Sequence, residues 1–293
     1  MEDFTMKKRL MALALALCVC LALAACSNGS QGTANTPDGG EASTPPASTT
    51  PAAGEETGGE SDLAYIQDKG NMIIGYTVYE PMNYTDENGE FTGFDTELAK
   101  AVCEKLGVEP QFQEIVWETK EVELSAGTID CIWNGLTIDE DRKANMAITD
   151  PYVVNAQVVV MLADNDYADT SSLADKTVCA EQGSAGQTTI EGDENLSQAT
   201  YVPKSVQTDC LMEVASGNCD AAVLDITLAQ AMIGEGTDYD NLVIVDQLAE
   251  EYYGVAFRKG SDVCDQVNAI FEELRADGTM QTLADKYGLT LAE

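Results

Sequence analysis

Histidine is missing altogether. Its absence removes the commonest general base and the commonest metal ligand, so a histidine-containing triad and a histidine-ligated zinc site are excluded. Basic residues are scarce, with 15 Lys and Arg against 51 Asp and Glu and a formal net charge of −36. A chain this poor in cations cannot replace phosphate counterions, which excludes ordinary nucleic-acid binding. It is equally unsuited to holding anionic lipid through a basic patch. The acidity itself is read as solubility through self-repulsion. Cysteines are present, but Cys103, Cys131, Cys179, Cys210, Cys219 and Cys264 show no C-x-x-C spacing, so zinc and iron–sulfur sites have no support. Cys131, Cys179 and Cys219 lie in or beside apolar strand-like runs, where the thiol acts as a small hydrophobe. Buried thiols are expected, with room for one bridge. Long hydrophobic runs are also lacking: the only one, Leu10 to Ala25, is short for a membrane span and no second follows.

That single run belongs to a targeting segment. Lys7, Lys8 and Arg9 precede it, and Met6 is a more natural start than Met1 because Glu2 and Asp3 are out of place in a basic leader. It closes on Leu23-Ala24-Ala25-Cys26, which resembles a bacterial lipobox. The resemblance implies cleavage before Cys26, lipid on the Cys26 thiol, and a place on the extracytoplasmic face of a cell membrane of Gram-positive type. Residues 26–61 then carry Ser, Thr, Gly, Pro, Ala and acids with no Leu, Ile, Val or aromatic. Such a segment cannot bury a core and is expected to act as a disordered tether, spanning roughly 30–35 Å.

From residue 62 the pattern alternates strand and helix. "NMIIGYTV" reads as a strand. "GFDTELAKAVCEKLG" reads as a helix, with Phe94, Leu98, Ala101, Val102 and Leu106 on one face and Gly107 as its stop. "PQFQEI", "TIDCIWN", "AQVVVML", "KTVCAE", "ATYVP", "CDAAVLD", "NLVIVDQ" and "YYGVAFRKG" are further strands, interleaved with helices and followed by two closing ones. The class is α/β with parallel sheets. Two stretches are near-repeats, "LSAGTIDCIWNGLT" (124–137) and "VASGNCDAAVLDIT" (214–227), each a helix end, a small turn, x-Asp, a buried strand and a polar exit. They predict two similar lobes with separate sheets, each presenting polar residues at a strand's C-terminal end, where open α/β sheets bind ligands.

The stretches "YEPMNYTDENGEFTGFDTELAKAV", "GTIDCIWNGLTIDEDRK", "ITDPYVV", "CDAAVLD" and "EEYYGVAFRKGSD" with "ADGTM" occur in this order across residues 63 to 290. In this the chain resembles the family 3 extracellular solute-binding proteins, the amino-acid-binding subunits of ABC importers. The resemblance implies two Rossmann-like lobes joined by two hinge strands, of the type II periplasmic-binding-protein kind. Lobe one would hold 62–154 and 254–293, and lobe two 155–253, with hinges near Asn155–Ala156 and Glu251–Tyr253.

The same resemblance assigns roles. Arg142 matches the arginine that grips a ligand α-carboxylate, a pairing suited to a planar guanidinium. The ordinary alternative is a surface pair with Asp139 three residues earlier. Thr137 matches a hydroxyl donor to that carboxylate, although Thr137-x-x-Glu140 is also a capping box. Asn134 and Gly135 match positions beside the ligand. Gly183, Ser184 and Ala185, at a helix start, match amides that face an anion, or form a plain helix cap. Asp225 matches the acceptor for the ligand's ammonium group, or caps the helix that follows. Tyr79 and Trp117 match aromatics flanking the ligand side chain. Met82 departs from the pattern, where Phe is usual. Glu181 and Glu118 stand where members vary with substrate, and two acids there suit a basic or amide side chain. The implied protein is a monomeric, non-enzymatic lipoprotein without cofactor or metal, which passes a free polar L-amino acid to permease subunits. The alternatives are a dehydratase-like enzyme on the same fold, or an amino-acid sensor that serves no transporter.

Overall fold

A computed structural model describes residues 61–293. The leader, Cys26 and the tether, apart from Ser61, lie outside the described residues. The first element, α1 (Asp62–Lys69), is capped by the Ser61 side chain, which accepts from the Ala64 amide. Strands follow as β1 (Asn71–Tyr76), β2 (Tyr84–Thr85), β3 (Phe91–Thr92), β4 (Glu109–Glu114), β5 (Cys131–Thr137), β6 (Met146–Ile148), β7 (Val153–Leu162), β8 (Thr177–Glu181), β9 (Thr200–Lys204), β10 (Ala221–Asp225) and β11 (Leu242–Arg258). The remaining helices are α2 (Phe94–Leu106), α3 (Lys120–Ser125), α4 (Glu140–Asn145), α5 (Ala185–Gly192), α6 (Gln207–Ala215), α7 (Ile226–Met232), α8 (Val263–Ala276) and α9 (Thr279–Tyr287).

Helix α2 shows how sequence sets these elements. Asp95 and Glu97 lie in its first turn and Lys105 in its last, each complementing the helix dipole. Gly107 ends it in the left-handed region at φ 74°. At its start only glycine fits position 93, because a Cβ there would lie 2.2 Å from the Met82 carbonyl oxygen.

The expected α/β fold of two lobes on two connecting strands is present, with two differences. The sheets are not separate. A single sheet runs β4-β1-β5-β11-β7-β10-β8-β9, with β6 added on β11. It is parallel at each end (β4-β1-β5 and β10-β8-β9) and antiparallel through the middle, where β7 and β11 pair with each other and with their neighbours. Second, the strands read as "NLVIVDQ" and "YYGVAFRKG" are one continuous β11. Its polar middle, Ala249-Glu250-Glu251, resembles a loop in sequence but pairs with Gln157, Ala156 and Asn155 of β7. Register shifts between Ile244 and Asp246, Gln247 and Ala249, and Gly254 and Ala256 bend the strand, so that one segment serves both lobes.

The near-repeats share one device. Asp130, just before β5, accepts the Ile73 amide of β1 at 2.7 Å and the Lys69 ammonium at 2.5 Å. Asp220, just before β10, accepts the Thr177 amide and hydroxyl of β8 at 2.8 and 2.7 Å. Each carboxylate therefore ties its own strand to the parallel neighbour. Around this frame the core closes on Trp133 against Phe271 (5.9 Å, edge-on) and Phe94 stacked on Tyr152 (6.1 Å). All six cysteines of the described residues are unpaired and buried, so no bridge forms among them.

Candidate functional site

The C-terminal ends of β5, β8 and β10 meet at one small, nearly closed cavity. The lobe containing β5 contributes Trp117, Asn134, Gly135, Thr137 and Arg142, and the lobe containing β10 contributes Glu181, Ser184, Ala185, Gln207 and Asp225. Every residue assigned to the site from sequence lines it except Tyr79, Glu118 and Gly183, and Gln207 is an addition.

Arg142 is 7 % exposed. Its Nη1 donates to the Thr137 carbonyl at 2.6 Å, and its Nε lies 3.2 Å from Asp139. Asp139 also caps α4 by accepting the Arg142 amide at 2.7 Å. The Asp139 pair anticipated as the ordinary explanation for Arg142 is thus real, yet it orients a guanidinium that lines the cavity. The capping-box explanation for Thr137 fails, since Asp139 is the cap. The Thr137 hydroxyl donates instead to Glu251 at 2.9 Å.

Behind β5 lies a buried polar support that sequence reasoning missed. Asn83 donates to the Trp133 carbonyl and to Asn134, while Thr96 donates to Asn83. Asn134 donates to Thr77 at 2.7 Å, so its amide is held by the scaffold although it lines the cavity. Asp95 accepts the Gly135 amide and the Tyr152 hydroxyl, each at 2.8 Å. Burial pushes the Asp95 carboxyl up to about 7 despite those bonds. Gly135 has φ 58°, and a Cβ there would lie 2.8 Å from the Tyr79 ring. Tyr79 therefore sits behind Gly135 and not beside the cavity. Its hydroxyl meets those of Thr227 and Tyr253, both at 2.5 Å, tying the lobes together.

Asp225 does not cap the helix it precedes. Its carboxylate accepts from Asn155 at 2.8 Å, Gln157 at 2.5 Å and Gln207. All three donors are neutral, so they fix the carboxylate without cancelling its charge. Asn155 and Gln157 also donate to Glu251, at 2.6 and 2.9 Å. Burial and the adjacent Asp225 push the Glu251 carboxyl up to about 7. Glu181 is 3 % exposed, and its Oε1 is buried without a hydrogen-bond partner. Burial, then Asp225, drive its carboxyl well above the usual range, with Lys120 opposing and Asp209 adding to the rise.

The Gly183-Ser184-Ala185 turn is less open than expected. Ser184 caps α5 by accepting from the Gln187 amide, the Gly183 amide donates to the Gln187 side chain and the Ser184 amide to the Glu181 backbone carbonyl. Gly183 is a contact between lobes: its carbonyl accepts Lys120 Nζ at 3.0 Å. Lys120 also donates to the Trp117 carbonyl and stands 4.6 Å over the Trp117 ring. Burial, then Arg142, lower its ammonium to about 8. Glu118 is exposed and accepts from Gln182 at 2.8 Å across the lobes.

Asn155 and Glu251, expected only as hinge positions, and Gln157, Gln207 and Lys120 were not anticipated at the site. Asn155 and Gln157 could have been, because two polar residues at i and i+2 in an apolar strand share one face. Among the described residues no group of three or more acids or cysteines could hold a metal, and no helix is long and apolar enough to cross a membrane.

Residues 72–290 match the model of the bacterial extracellular solute-binding proteins, family 3. The chain is similar to the arginine-binding extracellular protein ArtP of Bacillus subtilis, 28 % identical over 233 residues that cover 78 % of this chain and 90 % of the relative. Among solved structures it is similar to the P235GK mutant of ArgBP from T. maritima, with TM-score 0.71, 31 % identity, and 77 % and 98 % of the two chains covered. It is similar as well to the ancestral amino acid-binding protein AncCDT-1, a precursor of cyclohexadienyl dehydratase, with TM-score 0.70, 29 % identity, and 78 % and 99 % covered.

Proposed function

The chain belongs to the bacterial extracellular solute-binding proteins, family 3, and from that premise we propose that it captures a free polar L-α-amino acid between its lobes and delivers it to an ABC permease. The observation that carries this reading is that Arg142 from one lobe and Asp225 from the other line the same buried cavity. In this reading the α-carboxylate lies on Arg142 and the α-ammonium on Asp225, each through charge-assisted bonds of roughly 1.5–3 kcal/mol. Trp117 walls the side chain, and the amide of Ala185 faces the carboxylate. Because the gripping groups come from both lobes, ligand stabilises the closed arrangement, and closure is the state a permease reads. In this reading the lobes are 62–154 with 254–293, and 155–253, with hinges near Asn155–Ala156 and Glu251–Tyr253. The protein acts as a monomer held to the membrane surface by lipid on Cys26.

A melting screen of the twenty amino acids tests this, since a ligand that binds only the folded chain raises its stability by mass action. A polar amino acid should shift the melt. Silence from all twenty would overturn the reading. A second reading, an enzyme on this fold, draws on Glu181, a buried acid in the cavity with a raised pKa. Turnover of a cyclohexadienyl substrate, lost in Glu181→Gln, would favour it.

A further inference from the structure

The carboxylates of the site outnumber its cations. Asp225 repels both Glu181 and Glu251. The two cations beside them are Arg142, in the cavity wall, and Lys120, packed over Trp117. Both cations are engaged elsewhere. Arg142 is held by Thr137 and Asp139, and Lys120 donates to the carbonyls of Trp117 and Gly183. Among the described residues no ammonium or guanidinium forms an ion pair with Glu181, and its Oε1 is the one buried side-chain polar atom of the cavity lining left without a partner.

A zwitterion with an uncharged side chain adds no net charge. It would satisfy Arg142 and Asp225 and leave Glu181 buried and unpaired, which is a costly arrangement. An amino acid with one further positive charge supplies the partner that Glu181 lacks. Glu118, the other acid noted in the sequence, cannot take that part, because it is exposed and held by Gln182.

We infer, resting on the amino-acid reading above, that the ligand carries a cationic side chain and that Glu181 selects it by accepting that charge. Trp117 borders the same space, and an indole suits the apolar stem of such a side chain.

The test is calorimetric titration of the full chain with L-arginine and with L-citrulline, which has the same length and no charge. Arginine should bind wild type roughly 10- to 100-fold more tightly than citrulline, the range one charged hydrogen bond supports. Glu181→Gln should bring the two within a few-fold of each other, mainly by weakening arginine. Glu181→Asp, which keeps the charge, should retain the preference for arginine. The wild-type ratio needs no variant and stands even if one of them fails to fold. Equal binding of the two ligands by wild type, or an unchanged ratio in Glu181→Gln, overturns the inference while leaving amino-acid capture intact. If no amino acid binds at all, the reading it rests on falls first, and the inference with it.

Discussion

The two lobes share a frame and present opposite charges. In both, an aspartate at the turn before a buried strand ties that strand to its parallel neighbour, Asp130 to β1 and Asp220 to β8. Beyond that point they diverge. The strand through Cys131–Thr137 leads to Arg142, with Lys120 beside it, whereas Ala221–Asp225 ends in a carboxylate beside Glu181. The supports differ accordingly. Asn83 and Asp95 hold the β5 backbone from within its own lobe, while Asp225 is held by amides from the connecting strand β7 and from α6. The difference teaches that the shared turn supplies position and the exit residue supplies chemistry. In the proposed reading, a ligand with separated charges joins two surfaces that each suffer like-charge repulsion alone.

Removing the cationic half of this contrast should have the largest effect. Arg142→Ala is expected to weaken amino-acid binding by about 2–5 kcal/mol, the cost of leaving a charge unpaired in a closed site. Circular dichroism should stay unchanged and titration calorimetry should show little or no heat; retained affinity would count against the site. Blunting the anionic half comes next. Asp225→Asn keeps the shape and the neighbouring amides but loses the charge, and binding should weaken by roughly 1.5–3 kcal/mol.

The acidic cluster also makes a prediction about pH. Glu251 has a folded value of about 7 against an ordinary 4.5, so the folded state binds the proton more tightly than the unfolded chain. Its contribution to stability is therefore fully present below about 4.5 and is lost as pH rises through about 7. The melting temperature of the unliganded protein should fall between pH 5 and pH 8, and Glu251→Gln should flatten part of that fall. Asp95 and Glu181 act in the same direction, so some slope remains. An identical slope in Glu251→Gln would refute the assignment. The smallest effect concerns the tie between lobes. Tyr79→Phe removes the hydroxyl that meets Thr227 and Tyr253, which still reach each other at 3.1 Å. A loss of about 0.5–1.5 kcal/mol in chemical denaturation is expected, and a larger one would mean the tie carries more of the closed state.

Much of the fold was legible because periodicity is local. The apolar face of Phe94–Leu106 and its glycine stop are both written within the helix itself. The continuity of Leu242–Arg258 was hidden, because its middle is polar on both faces and pairs with a strand some ninety residues earlier. The site divided in the same way. Residues at strand exits, such as Arg142 and Asp225, carry a positional signal. Asn83, Gln207 and Glu251 owe their roles to partners distant in the chain, and spacing along the sequence says nothing about such pairs. Tyr79 was misplaced for a related reason: an aromatic near a crevice can face the ligand or back the wall, and only the ring's contact with Gly135 distinguishes the two.

The unpaired cysteines have a consequence for how the chain matures. Burial pushes the Cys103 thiol up to about 12, and Cys131 well above its ordinary value. Cys219 and Cys264 are likewise held near 12 and 11, which leaves scarcely any nucleophilic sulfur at neutral pH. Once folded, the six cysteines of the described residues are buried away from reagents in the surroundings. The vulnerable interval is the one before the sheet closes, so the rate at which an alkylating reagent loses access to these sulfurs is a clock for folding.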